Sequence, residues 1–182
     1  MKQVFLFLMV IGLIGCKGPE PRRPVKVKGG SFNASVERSK KLLALEESMI
    51  NSIITNDSIH EYMNSAAGAW YYYEQRNENG TYTPQPDDLV TLTYNVMSFT
   101  NDTIYSQEEI GIIKYKVDKQ ELFPGLRNSV KLLKEKETAT FLFPSSLAYG
   151  YHGDNNKIGI NVPIKSRITI FKIEKQQDSI QN

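Results

Sequence analysis

The chain has 182 residues, with 22 Lys and Arg against 20 Asp and Glu, a formal charge of +2, one cysteine and two histidines. A near-neutral body lacks the clustered basic face that nucleic acid requires. A lone cysteine allows no intrachain disulfide, so the fold must rest on its core. His60 and His152 stand far apart with no free cysteine to join them, which argues against a zinc site.

The first fifteen residues read as an export signal: Lys2 supplies the positive start and Val4 to Leu13 the apolar run. That run is shorter than the roughly 20 residues of a membrane span. Leu13-Ile14-Gly15-Cys16 resembles the bacterial lipobox. The resemblance implies that residues 1–15 are removed and that Cys16 is acylated as the first residue of a mature lipoprotein. A plain secretory signal with an incidental cysteine is the alternative. Removing residues 1–15 takes Lys2 and no acid, so +2 becomes +1. Residues 16–32 form the lipidated cysteine and a flexible tether, with three prolines and three glycines from Lys17 to Phe32. Lys17, Arg22, Arg23, Lys26 and Lys28 make this tether basic, as suits a segment beside anionic headgroups.

Residues 33–67 read as helical. Leu42, Leu45, Met49 and Ile53, flanked by Leu43, Ile50 and Ile54, give an apolar face to a helix from about Asn33 to Thr55. Ser58 and Glu61 fit a capping box opening a second short helix that carries Tyr62 and Met63 and stops before Gly68.

From Gly68 the period becomes two. Trp70 to Gln75 is a β-prone aromatic run, Asn77 to Gly80 a turn, and Pro84 to Asp88 a loop. Leu89 to Val96 alternates, placing Val90, Leu92, Tyr94 and Val96 on one face of a half-buried antiparallel strand. A return strand starts at Thr103, and further strands are expected over Ile112 to Val117, Thr138 to Phe143 and Arg167 to Ile173. Between them lie a helix from Pro124 to Leu133, a mixed charge run from Lys131 to Glu137 read as solvated, and a long Gly/Asn-rich loop from Ser145 to Val162. Several strands with one short helix late in the order describe an α+β roll, a curved antiparallel sheet wrapped over a helix, with a helical extension before it. The domain so predicted spans residues 68–175, and residues 176–182 form a tail.

The segment from Glu121 to Gly150 carries the functional signal. Leu122-Phe123 offers a hydrophobic edge, Leu126 a floor and Tyr149 a hydroxyl in the loop after the following strand, with no nucleophile or metal ligand among them. Ser145-Ser146 lacks a glycine-flanked elbow and a base partner. Lys119-Gln120-Glu121-Leu122-Phe123-Pro124-Gly125-Leu126, with Ala148-Tyr149-Gly150 beginning 22 positions after Leu126, resembles the core of the FK506-binding-protein (FKBP) prolyl isomerases. Asp88-Leu89-Val90 through Tyr94 is similar to the strand that precedes it in that family, and Val162-Pro163 with Ile168 to Ile173 to the closing strand. Joined to the lipobox and the helical extension, the pattern resembles the gliding-motility-associated FKBP-type lipoproteins of Bacteroidota.

The resemblance implies isomerisation of peptide bonds preceding proline. That bond interconverts over a barrier of about 18–20 kcal/mol. Twisting it breaks amide resonance and makes it less dipolar, so an apolar cavity disfavours the planar ground states, provided donors hold the neighbouring carbonyls. Carried over by motif, Phe123 donates its backbone N–H to a substrate carbonyl and Tyr149 its hydroxyl to the carbonyl at or beside the twisting bond. Substrate-binding positions are Tyr94, Ile104, Tyr105, Leu122, Leu126 and, on the far wall, Ile170 or Phe171. Leu126 stands where many relatives carry tryptophan, and Tyr105 where the family often has an aspartate bonded to the equivalent of Tyr94. The reading needs no cofactor or metal. Its expected partners are Xaa-Pro segments of exported proteins and, through Cys16, the lipid membrane, with pairing of two copies through the extra helices. The expected location is the cell envelope, lipid-anchored and facing the periplasm, on the outer in preference to the inner membrane, with exposure at the cell surface as the alternative. The alternative is a catalytically weak module that keeps the fold for binding or chaperoning.

Overall fold

A computed structural model describes residues 30–176; the export signal, Cys16, the tether up to Gly29 and residues 177–182 lie outside the described residues. Helix α1 (Gly30–Asn56) is followed by β1 (Met63–Asn64), β2 (Trp70–Gln75), β3 (Leu89–Tyr94), β4 (Val96–Met97) and β5 (Thr103–Tyr105). A four-residue helix α2 (Gln107–Ile110), β6 (Ile113–Lys116), α3 (Pro124–Val130), β7 (Thr138–Phe143), a 3₁₀ turn (Ser145–Leu147) and β8 (Ile164–Glu174) complete the order. The sheet runs β1-β2-β7-β8-β3-β6, with β4 pairing β5 and β8, and every pairing is antiparallel.

One face of this sheet packs on α3. Val90 and Leu92 of β3, Ala139, Phe141 and Phe143 of β7, Ile168 and Ile170 of β8 and Leu126 and Val130 of α3 are all fully covered in one cluster. Each of these side chains larger than alanine contributes roughly 1.5–3 kcal/mol through burial. Tyr71 stacks on Phe141 at 4.9 Å and Phe141 on Phe143 at 5.6 Å, so the aromatic run of β2 serves the core. All six residues of β7 are buried, because its other face is covered too. Leu142 on that face, Tyr72 beside it on β2 and Ile50 of α1 are buried, and the carboxylate of Glu46 on α1 accepts the N–H of Ser145 just past β7 at 2.9 Å.

Five expectations need correction. The second helix does not form: the Asp57 carboxylate captures the N–H groups of Ile59 and His60, the His60 ring (2.8 Å) and the Tyr62 hydroxyl (3.1 Å), and residues 63–64 pair as a strand instead. A local side-chain acceptor of this kind competes directly with helix propagation. On α1 Glu46 and Ile50 are buried and Leu42, Ile53 and Ile54 half-buried, while Leu45 and Met49 are 60% and 43% exposed. The strand from Leu89 breaks at Asn95, whose side chain accepts the Arg167 N–H at 2.8 Å and takes over a ladder bond. The helix at Pro124 ends at Val130, three residues early. The charge run is only partly solvated: Glu137 is 2% exposed and accepts the backbone N–H groups of Asn77 and Lys134.

Candidate active site

The sequence Leu122-Phe123-Pro124-Gly125-Leu126 is built for a tight turn into a helix. Phe123 is the N-cap of α3 with extended backbone (φ −60°, ψ 149°), and Pro124 occupies the first helical turn, where a missing N–H costs nothing. Gly125 has a different reason. A Cβ there would lie 2.6 Å from the Phe143 ring and 2.8 Å from the Leu147 carbonyl oxygen, so only glycine lets α3 close on the end of β7. That approach brings Phe123 against the strand and loop that carry the other site residues.

Phe123 is the hub. Its ring lies 5.5 Å from Phe143, 5.3 Å from Tyr149 and 6.2 Å from Tyr94. Leu122, Ile104, Tyr105, Tyr94 and Tyr149 pack around the same core as partly buried side chains. Leu126 and Ile170 are fully covered. They therefore support the pocket from beneath and do not form its open lining. The one-residue ambiguity in the last strand resolves physically: Ile170 faces the core, and Phe171, 42% exposed, belongs to the opposite face and leaves the site.

Three donors meet at this apolar patch without an acceptor among the described residues. They are the Phe123 N–H and the hydroxyls of Tyr94 and Tyr149. Burial, followed by the nearby Tyr94, Asp154 and Tyr105, pushes the Tyr149 hydroxyl well above the usual tyrosine range. Burial alone raises that of Tyr94. Both therefore stay protonated, and both can donate.

The loop that presents Tyr149 is fixed by backbone bonds on either side of it. Ala148 and Gly150 both donate to the Ser145 carbonyl at 3.0 and 2.9 Å, and Asn161 donates to the Gly150 carbonyl at 2.7 Å. Gly150 has φ +58°, a left-handed turn that glycine makes without strain. Beyond it, Asp154 ties the loop down. Its carboxylate accepts the N–H groups of Asn156 (2.9 Å) and Ile158 (2.8 Å) and the hydroxyl of Tyr105. Burial works against the charged carboxylate, but these bonds outweigh it and hold Asp154 below its ordinary range. Lys157 crosses the Tyr105 ring at 4.6 Å and bonds Glu109 and the Ile104 carbonyl.

Tyr105 thus bonds to the loop, and among the described residues Tyr94 has no carboxylate partner. Sequence reasoning missed Asp154, Asn156, Lys157 and Glu46. The run Asp154-Asn155-Asn156, in which Asn155 adopts φ +59°, was the available signal for an anchored turn. No cluster of three His, Cys, Asp or Glu side chains that could hold a metal occurs among the described residues.

A profile of the FKBP-type peptidyl-prolyl cis-trans isomerase family matches residues 80–174, which is 95 of 182 and includes Tyr94, Phe123 and Tyr149. The probable FKBP-type peptidyl-prolyl cis-trans isomerase FkpA of Neisseria meningitidis serogroup B is 30% identical over 109 residues, covering 60% of this chain. The match takes in 39% of that relative's own length. The crystal structure of FkpA from Escherichia coli superposes with a TM-score of 0.60 at 15% identity, covering 97% of this chain and 83% of that one. That of a peptidyl-prolyl cis-trans isomerase from Pseudomonas syringae pv. tomato gives 0.57 at 16% identity, covering 75% and 96%. At such identities the two structures speak for the fold. The profile, spanning over half the residues and all of the central pocket, decides the rest: the chain belongs to the FKBP-type peptidyl-prolyl cis-trans isomerase family.

Proposed function

We propose that the protein is a peptidyl-prolyl cis-trans isomerase that assists the folding of exported proteins. The observation that carries this reading is the meeting of three acceptor-free donors, from Phe123, Tyr94 and Tyr149, at a patch walled by aromatic and aliphatic side chains. The apolar wall disfavours the dipolar planar amide. The Phe123 N–H and the Tyr149 hydroxyl hold the flanking carbonyls while the bond twists. No proton is transferred and no covalent intermediate forms. The test follows cis-to-trans relaxation of a short Leu-Pro peptide with residues 17–182. Native protein at micromolar concentration is expected to accelerate it, and Tyr149→Phe to lower kcat/KM by about three- to tenfold, the range of one lost hydrogen bond. No acceleration over the spontaneous rate contradicts the reading.

We place the protein in the cell envelope, held to the membrane by acylated Cys16. A role in gliding rests on the resemblance of the whole arrangement to gliding-associated lipoproteins. Mass spectrometry of the membrane fraction tests the anchor: Cys16→Ser is expected to abolish both the acyl mass and membrane retention. Deletion that leaves motility intact removes the gliding role. The second reading, a binding or chaperone module of low turnover that pairs through α1, is favoured by the full burial of Leu126 and the diversion of Tyr105 to Asp154. Peptide binding that persists without rate acceleration would select it.

A further inference from the structure

Tyr149, which packs on Phe123 in the prolyl patch, also lines a groove on its other side. This groove has a volume of about 600 Å³ and lies between α1 and the loop, walled by Leu42 and Leu43 on one side, Ala148, Tyr149 and Tyr151 on the other, and Pro124 at one end. Its volume falls within the range of ordinary ligand sites, roughly 300–1,000 Å³. Leu43 and Tyr151 on its walls are 44% and 72% exposed, apolar surface that a chain ordinarily covers or uses. Glu46, 2% exposed, contributes to the wall with one oxygen bound to Ser145 N–H and the other without a partner.

We propose that this groove is a subsite for apolar residues flanking the target proline in an extended, unfolded polypeptide; the proposal rests on the prolyl isomerase reading above. Continuity decides the occupant. Tyr149 both lines the groove and packs on Phe123 at 5.3 Å, and Pro124 of the groove directly follows Phe123 in the chain. A chain whose proline meets Phe123 and Tyr149 therefore runs its neighbouring residues over Tyr149 into the groove. The lining explains the chemistry selected: Glu46 is its one acidic or strongly basic side chain, and it is 2% exposed, with one oxygen held by the Ser145 N–H, so it presents little charge to the groove. Because the Ser145 carbonyl anchors Ala148 and Gly150, the groove needs little ordering on binding. Apolar stretches of this kind are buried in folded clients and available in unfolded ones, so the subsite selects for unfolded chains.

The test compares an anilide tetrapeptide, Ala-Leu-Pro-Phe, with a twelve-residue peptide that extends it by Leu and Phe residues, using residues 17–182. Native protein is expected to show a KM about tenfold lower for the long peptide, the gain from burying one or two apolar side chains. The variant Leu43→Glu/Tyr151→Glu, altered at exposed positions outside the prolyl pocket, is expected to erase that gain while tetrapeptide turnover stays within about twofold. Equal KM values for both peptides in native protein, or equal losses for both in the variant, overturn the subsite. A shift from dimer to monomer on sedimentation of the variant assigns the groove to a second copy and also overturns it. If neither peptide is accelerated, the isomerase reading fails separately. Binding of the long peptide by fluorescence anisotropy then decides the groove: loss in the variant supports it, and unchanged binding overturns it.

Discussion

The two sides of Tyr149 are built by different means. On the pocket side, Phe123 from the Phe-Pro-Gly-Leu turn, Phe143 from β7 and Tyr94 from β3 meet through apolar contact, with several rings sharing the load. On the loop side, single polar bonds reach across the chain: Glu46 to Ser145, 99 residues apart, and Asp154 to Tyr105, 49 apart. Packing is collective, so it sets shape robustly. One carboxylate sets position, and losing it is felt at one place.

The largest expected effect breaks the packed side. Gly125→Ala drives a methyl into the Phe143 ring and the Leu147 carbonyl, both closer than real contacts permit. Overpacking of this kind costs about 1–3 kcal/mol, read as a fall of about 3–10 °C in thermal midpoint, with prolyl isomerase activity falling alongside. A variant of native midpoint and activity would show that α3 does not depend on this close approach.

A smaller effect should separate position from packing on the loop side. Glu46→Ala leaves the Ser145 N–H unpaired, a loss of about 1 kcal/mol. It is expected to lower kcat for a short Leu-Pro peptide by about two- to fivefold through a less well-held Tyr149. Glu46→Gln, whose amide oxygen can accept the same N–H, is expected to restore it; failure of that rescue would assign the loss to packing.

Acid titration sharpens the comparison further, because Asp154 holds the loop side through its carboxylate, as Asp88 and Asp57 hold turns elsewhere in the fold. Asp154 and Asp88 are held below their ordinary range by hydroxyl and backbone donors that outweigh burial, and Asp57 is held at about 2, chiefly by the His60 side chain. A depressed folded-state pKa contributes stability that is present above the unfolded value near 3.9 and disappears as pH falls through the folded value. Thermal midpoints should therefore hold above about pH 5 and decline between about pH 4 and 2. Asp154→Asn should decline less steeply, and an unchanged slope would remove Asp154 from the account.

The same division explains what was legible beforehand. The strands of the core and the α3 turn followed from periodicity and local spacing, because apolar alternation and a Pro-Gly pair act over a few residues, whereas the role expected of Tyr149 came from the family resemblance. The failed helix at Ser58 shows the limit. Its capping pattern was real, but Asp57 one residue earlier offered the backbone better acceptors than the helix did. Glu137, read within a solvated run, is buried because it caps the turn after β2, sixty residues away in sequence. Phe171 and Ile170 could not be told apart until the register of β8 against β3 put Ile170 opposite Leu92.

The pH dependence of kcat/KM for a Leu-Pro peptide tests the central claim most directly. Burial raises the hydroxyls of Tyr149 and Tyr94 above their ordinary range, and the Phe123 N–H does not titrate. A pocket that works by desolvation and fixed donors therefore predicts an accelerated rate that stays flat from about pH 5 to 9. A bell-shaped profile with an inflection inside that window, or no acceleration at any pH, would contradict it.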